Sequence, residues 1–140
     1  MRTIPLSEIW CDDATSIKNV DSLDLFLGVL VYLEEMGIKG IPLDALHELF
    51  YQAKEAGHLI VKWKFTKNCG KSYSQTLDRA ENILCDIELA YRDYRRGRKL
   101  RGRAIARANF FERVEVNNIS SEFLKQIKGI AEFIAASKMI

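Results

Sequence analysis

The run from Leu23 to Leu33 limits the fold of this chain more than any other stretch. Leu23, Phe26, Leu30 and Leu33 recur at helical spacing as one stripe, and Leu25, Val29, Tyr32 and Met36 make a second. A helix that is apolar on two faces needs cover on both, so it belongs at the centre of a mainly α core. Asp21 supplies an N-cap and Gly37 a C-terminal stop. The run contains Asp24 and falls well short of the roughly 20 apolar residues of a membrane span, so no membrane partner is expected.

Around this helix, 140 residues with 48% hydrophobic composition supply one core, hence a single mainly helical domain over 1–140 with four to five helices. Met1 to Val20 shows no periodicity and reads as an irregular arm. Pro42 suits the first turn of a second helix, striped by Leu43, Leu46, Phe50 and Ala53 and ended by Gly57. Leu59, Val61, Trp63 and Phe65 then alternate with Ile60, Lys62 and Lys64, the period of a strand, before a turn at Asn68, Cys69 and Gly70. Ser72 or Ser74 caps a long third helix over 75–96, with Leu77, Ala80, Leu84, Ile87, Tyr91 and Tyr94 on one seam. Phe110 to Val116 reads as a second strand, so that 58–65 pairs with 110–116 in a two-stranded β-ribbon. Asn117 and Asn118 lead into a last helix capped by Ser120 or Ser121, with Phe123, Ile127, Ile130 and Ile134 as its stripe.

Charge supplies the sharpest functional signal. Arg92, Arg95, Arg96, Arg98, Lys99, Arg101, Arg103 and Arg107 stand against the single acid Asp93, although the net charge of the chain is only +2. Arginine binds phosphate or carboxylate bidentately, where lysine offers a point charge. If helix continues through Gly97, then Arg92, Arg96, Lys99, Arg103 and Arg107 fall on one face, suited to a nucleic-acid backbone or an acidic partner surface. Arginine-rich faces are also often solvated or matched by acids nearby. No Asn or Gln pattern for reading bases lies within the segment. Lys62, Trp63, Lys64 and Lys67 form a secondary patch of cations and an aromatic ring suited to base stacking.

Catalytic signals are weak. Gly70, Lys71 and Ser72 copy the end of a phosphate-binding loop, but Phe65 stands where the motif needs glycine. His47 and His58 share no local spacing with cysteines or carboxylates, so no metal site is expected. Asp12 beside Asp13 reads as an ordinary loop pair. Three cysteines, odd in number and without CxxC pairing, suit a reducing, cytoplasmic setting. No cofactor and no enzymatic activity are expected.

The segment from Leu84 to Ile134 carries a distinctive order. A long helix closes with Arg95 to Leu100, an Ala-containing stretch runs from Ala104 to Ala108, and a helix capped by Ser120 to Glu122 follows. This order resembles the helical domain of archaeal GINS replication-complex subunits, which implies an assembly subunit at the replication fork without catalysis. The helices over 22–36 and 43–56, followed by a strand and a glycine turn, also resemble the outline of winged-helix regulators. The resulting expectation is a non-enzymatic, archaeal or viral subunit of a replication or transcription complex, contacting DNA or RNA through Arg92 to Arg107. The two-faced helix 22–36 and the seam over 75–96 add a protein partner or homo-oligomer. The alternatives are an assembly protein whose basic face meets an acidic partner, and a winged-helix-type DNA-binding regulator.

Overall fold

A computed structural model describes residues 22–58, 63–95 and 97–140. The expected N-terminal arm, the Asp21 cap and Asp12 with Asp13 lie outside these residues, as does half of the strand expected over 58–65, and 63–65 form no strand. In chain order the described residues form α1 (Ser22–Glu35), β1 (Ile41–Pro42), α2 (Leu46–Glu55), β2 (Thr66–Asn68), β3 (Lys71–Tyr73) and α3 (Gln75–Asp86). They continue with β4 (Ala90–Asp93), β5 (Lys99–Gly102), α4 (Ala106–Val116) and α5 (Ser121–Ala135). The fold is mainly helical, as its sequence periodicity implies.

Helix α1 is the centre. Every residue from Ser22 to Val31 is buried, and α3, α4 and α5 pack around it. Gly28 allows the closest approach: a Cβ there would lie 2.7 Å from Phe110 Cζ and 2.8 Å from Ile127 Cγ2. Asp24, buried in the first turn, accepts hydrogen bonds from Arg113 Nε and, at 3.3 Å, from Asn117 Nδ2, tying α4 to α1 by charge as well as by packing. From Ser22 to Val31 both apolar faces of α1 are therefore covered within the chain, while Met36 at the end of the second stripe is exposed.

Four helices end in one device. After α1, α2, α3 and α4 a residue at positive φ (Gly37, Gly57, Glu88 and Asn118) lets the next amide reach back to a carbonyl five residues earlier. Two of these residues are the expected glycine stops. The third is a glutamate at φ 62, and it overturns the long helix over 75–96. Helix α3 stops at Asp86; Leu89 and Ala90 are buried in place of Ile87, which is half exposed. Glycine is the usual residue in this left-handed position, so a glutamate gives no warning in the sequence. Tyr91 and Tyr94 consequently lie on a hairpin, and the expected coiled-coil seam does not form.

The ribbon pairing 58–65 with 110–116 is also corrected, because 110–116 lies in α4. Ala106 and Phe110 are its buried residues and Arg113 reaches Asp24, a spacing of four and three; Val116, which suggested strand alternation, is 76% exposed. The ribbon present instead joins β2 to β3 through Cys69 (φ 53) and Gly70 (φ 78), the pair of left-handed residues of a type I′ hairpin. Pro42 belongs to β1 rather than to the first turn of α2. A separate three-stranded antiparallel sheet has the order β1-β5-β4, so the strand before α2 pairs with the return strand of a hairpin far along the chain. Ser74 and Ser120 are the serines that cap α3 and α5, accepting from Leu77 N and Phe123 N.

Candidate functional site

The arginine-rich segment is a β-hairpin followed by the start of α4, so its side chains alternate by strand period rather than sharing one helical face. Tyr91 pairs with Arg101 and Asp93 with Lys99 on one side of β4–β5; Arg92 and Leu100 share the other. Leu100 turns into the core. Arg92 turns to α3, giving its Nε to Glu81 Oε2 at 2.6 Å and its Nη2 to Asn82 Oδ1 at 2.8 Å. This contact sets the hairpin beside the exposed edge of α3.

Own-chain carboxylates meet several of the remaining cations. Arg95 lies 3.7 Å and Arg101 4.0 Å from Asp93, Arg101 also 3.5 Å from Glu34, and Arg107 2.6 Å from Glu35. The backbone N–H of Arg95, assisted by the Arg95 and Arg101 guanidiniums, holds the Asp93 carboxyl below the usual carboxylate range. Arg98, Lys99 and Arg103 pair with no carboxylate among the described residues, and Arg96 lies outside them. Arg95, Arg98 and Tyr94 are exposed around Gly97, with Arg98 over the Tyr94 ring at 5.7 Å. The basic residues thus divide between an exposed hairpin tip and a groove beneath it. In the secondary patch, Lys62 lies outside the described residues and Trp63 is fully buried, donating its indole N–H to Ser22 Oγ at 2.7 Å, so it offers no stacking surface. Lys64 and Lys67 are exposed, and Lys67 Nζ sits over Tyr51 at 4.7 Å.

One constellation has no trace in local spacing. His47 of α2 meets Asp78 and Glu81 of α3, with ligand-type atoms within 4.8 Å of one another. The two carboxylates are three apart, one face of a helix, but their partner is 31 residues upstream in sequence from the nearer of them. The bonding argues against a metal centre. His47 Nδ1 accepts the Ser74 N–H at 3.0 Å, so a neutral ring carries its proton on Nε2, and Glu81 is already bonded to Arg92. His47 also stacks on Tyr73 at 5.0 Å. The cluster is a polar latch joining α2, β3, α3 and β4.

The latch has a pH signature. Burial depresses the His47 pKa from 6.5, outweighing the raising effects of Asp78 and Glu81, and a protonated Nδ1 would lose its bond to Ser74. A depressed folded-state pKa means that the unfolded chain binds more protons just below 6.5. This contribution to stability is complete above pH 6.5 and is lost as pH falls through the folded-state pKa. Urea midpoints measured across that interval should decline in the native chain, and in His47→Gln the decline should flatten; equal slopes would refute the assignment.

Comparison with family models, with curated proteins and with solved structures finds no match. No helix among the described residues is long and apolar enough to cross a membrane. Of the residues that carry the resemblance to replication-complex subunits, Arg95 and Gly97 to Leu100 lie in a hairpin tip and its return strand rather than at a helix end.

Proposed function

We propose that this chain is a non-enzymatic, nucleic-acid-binding protein of winged-helix type. The observation that carries this reading is the connectivity. Helix α1, strand β1, helices α2 and α3, and the β4–β5 hairpin follow in the winged-helix order, with β5 between β1 and β4 and the β2–β3 ribbon inserted before α3. In that arrangement α3 is the helix that enters a groove and the hairpin tip grips the adjacent backbone.

The surface chemistry agrees. Gln75 and Arg79 are exposed on α3 at a spacing of four, and amide and guanidinium groups suit the major-groove edges of adenine and guanine, while the exposed Asn82 is engaged by Arg92. Arg95, Arg98 and Lys99 at the tip supply phosphate contacts that carry no sequence information. The acids matched to Arg92, Arg101 and Arg107 limit the electrostatic footprint to fewer cations than the composition suggests.

Three phosphate contacts imply that log affinity for duplex DNA falls with log salt at a slope of about −2.7. Arg98→Ala should weaken binding to all sequences alike and make the slope shallower by about 0.9. Gln75→Ala should instead change the preference between sequences and leave the slope intact. Fluorescence anisotropy over a salt series, with duplex and single-stranded DNA and RNA, measures both. Absence of binding to every nucleic acid at low salt would overturn the reading and leave an acidic protein partner as the target.

A further inference from the structure

Below the hairpin tip, α1, the β4–β5 hairpin and the first turn of α4 enclose a groove with a cavity volume of about 800 Å³. Four guanidiniums (Arg95, Arg101, Arg103, Arg107) and two carboxylates (Glu34, Glu35) line it, an excess of two positive charges. We propose that this groove binds a small dianion, either a single phosphate group or a dicarboxylate.

The volume falls within the roughly 300–1,000 Å³ of small-molecule sites. Val31 and Ala106 are buried and give it an apolar floor, and Tyr91 forms a wall with the Arg103 guanidinium over its ring at 5.0 Å. The guanidiniums are held in position but incompletely used. Arg101 Nε and Glu34 Oε1 lie 3.5 Å apart, closed off from solvent, and neither makes a hydrogen bond among the described residues. Arg103 meets no carboxylate among the described residues. Arg107 gives its Nε to Glu35, which leaves the rest of its planar fork for an incoming oxyanion. Helix α4 also opens on Ile105 with no side-chain cap, so its positive end adds to the field at this wall.

The two glutamates discriminate against a nucleic-acid strand. A continuous phosphate backbone laid in the groove would pass Glu34 and Glu35, whereas a compact dianion can displace them from partly exposed ion pairs that contribute little in water. The groove thus shares Arg95 with the hairpin tip assigned to nucleic acid, whereas Arg98 and Lys99 of the tip do not line it.

The test is calorimetric titration of the whole chain with inorganic phosphate and, separately, with succinate. We expect saturable binding of one dianion per chain; the tighter of the two identifies the phosphate or the carboxylate class. Arg101→Ala and Arg103→Ala should each weaken it about tenfold to a hundredfold, the range for losing a charge-assisted hydrogen bond. Glu35→Gln removes a competing negative charge and should tighten binding. Arg98→Ala should leave dianion binding unchanged while nucleic-acid affinity falls, which separates failure of this site from failure of the tip. Unchanged thermal midpoints without ligand verify that the variants fold. Lack of saturable binding by either dianion, full affinity in the Arg101 and Arg103 double variant, or weaker binding in Glu35→Gln would each overturn the proposal.

Discussion

Replacing Arg113 with alanine should cost the fold about 3–5 kcal/mol, the effect of removing the cation from a buried ion pair. Asp24 is 1% exposed, and Arg113 is the cation that reaches it from α4. Asn117 donates to the other carboxylate oxygen but, being neutral, does not balance its charge. Against a total stability of about 5–15 kcal/mol, that loss would unfold a substantial fraction of molecules. Replacing both partners, Asp24→Leu with Arg113→Met, should recover most of the loss, because a well-packed apolar pair of similar volume is often neutral or stabilising relative to a buried ion pair. Urea denaturation of the two single variants and the double gives the coupling directly. If Arg113→Ala shifts the midpoint no more than an ordinary surface substitution, the pair is not holding α4 to α1.

Gly28→Val should also destabilise the fold, although valine suits a helix better than glycine does. A Cβ at position 28 would meet Phe110 Cζ at 2.7 Å and Ile127 Cγ2 at 2.8 Å, so α1 would have to move away from α4 and α5 together. Overpacking of this kind typically costs about 1–3 kcal/mol, more than the about 1 kcal/mol that leaving glycine returns in a helix interior. Gly28→Ala should therefore destabilise modestly and Gly28→Val toward the upper end. Phe110→Leu should partly rescue Gly28→Ala by vacating the ring edge. A thermal midpoint that rises in Gly28→Ala would contradict the close packing of the three helices.

These two positions also mark how far the sequence could be read. The central helix, the glycine stops at 37 and 57, and the stripe of α5 follow from periodicity and capping, which act within a few residues of one another. Asp24 could be seen to interrupt an apolar run, but nothing near it in sequence names Arg113 as its partner. Gly28 could be seen in a helix, but not the phenylalanine ring that requires it.

The arginine segment divides in the same way. Its charge is a property of composition, and attraction for an anion follows from that alone. Its geometry depends on where α3 ends, and that is set by Glu88 adopting a left-handed conformation so that Leu89 and Ala90 can be buried. A few residues of register there convert a helical stripe into a hairpin with two unlike sides. One side anchors to Glu81 and Asn82, and the other lines a groove with Glu34 and Glu35. The meeting of His47 with Asp78 and Glu81 likewise comes from packing α2 against α3. Local patterning thus specified the helices and the supply of charge. Long-range burial and the pairing of distant charges settled which groups face one another, because those energies depend on contacts between residues tens of positions apart.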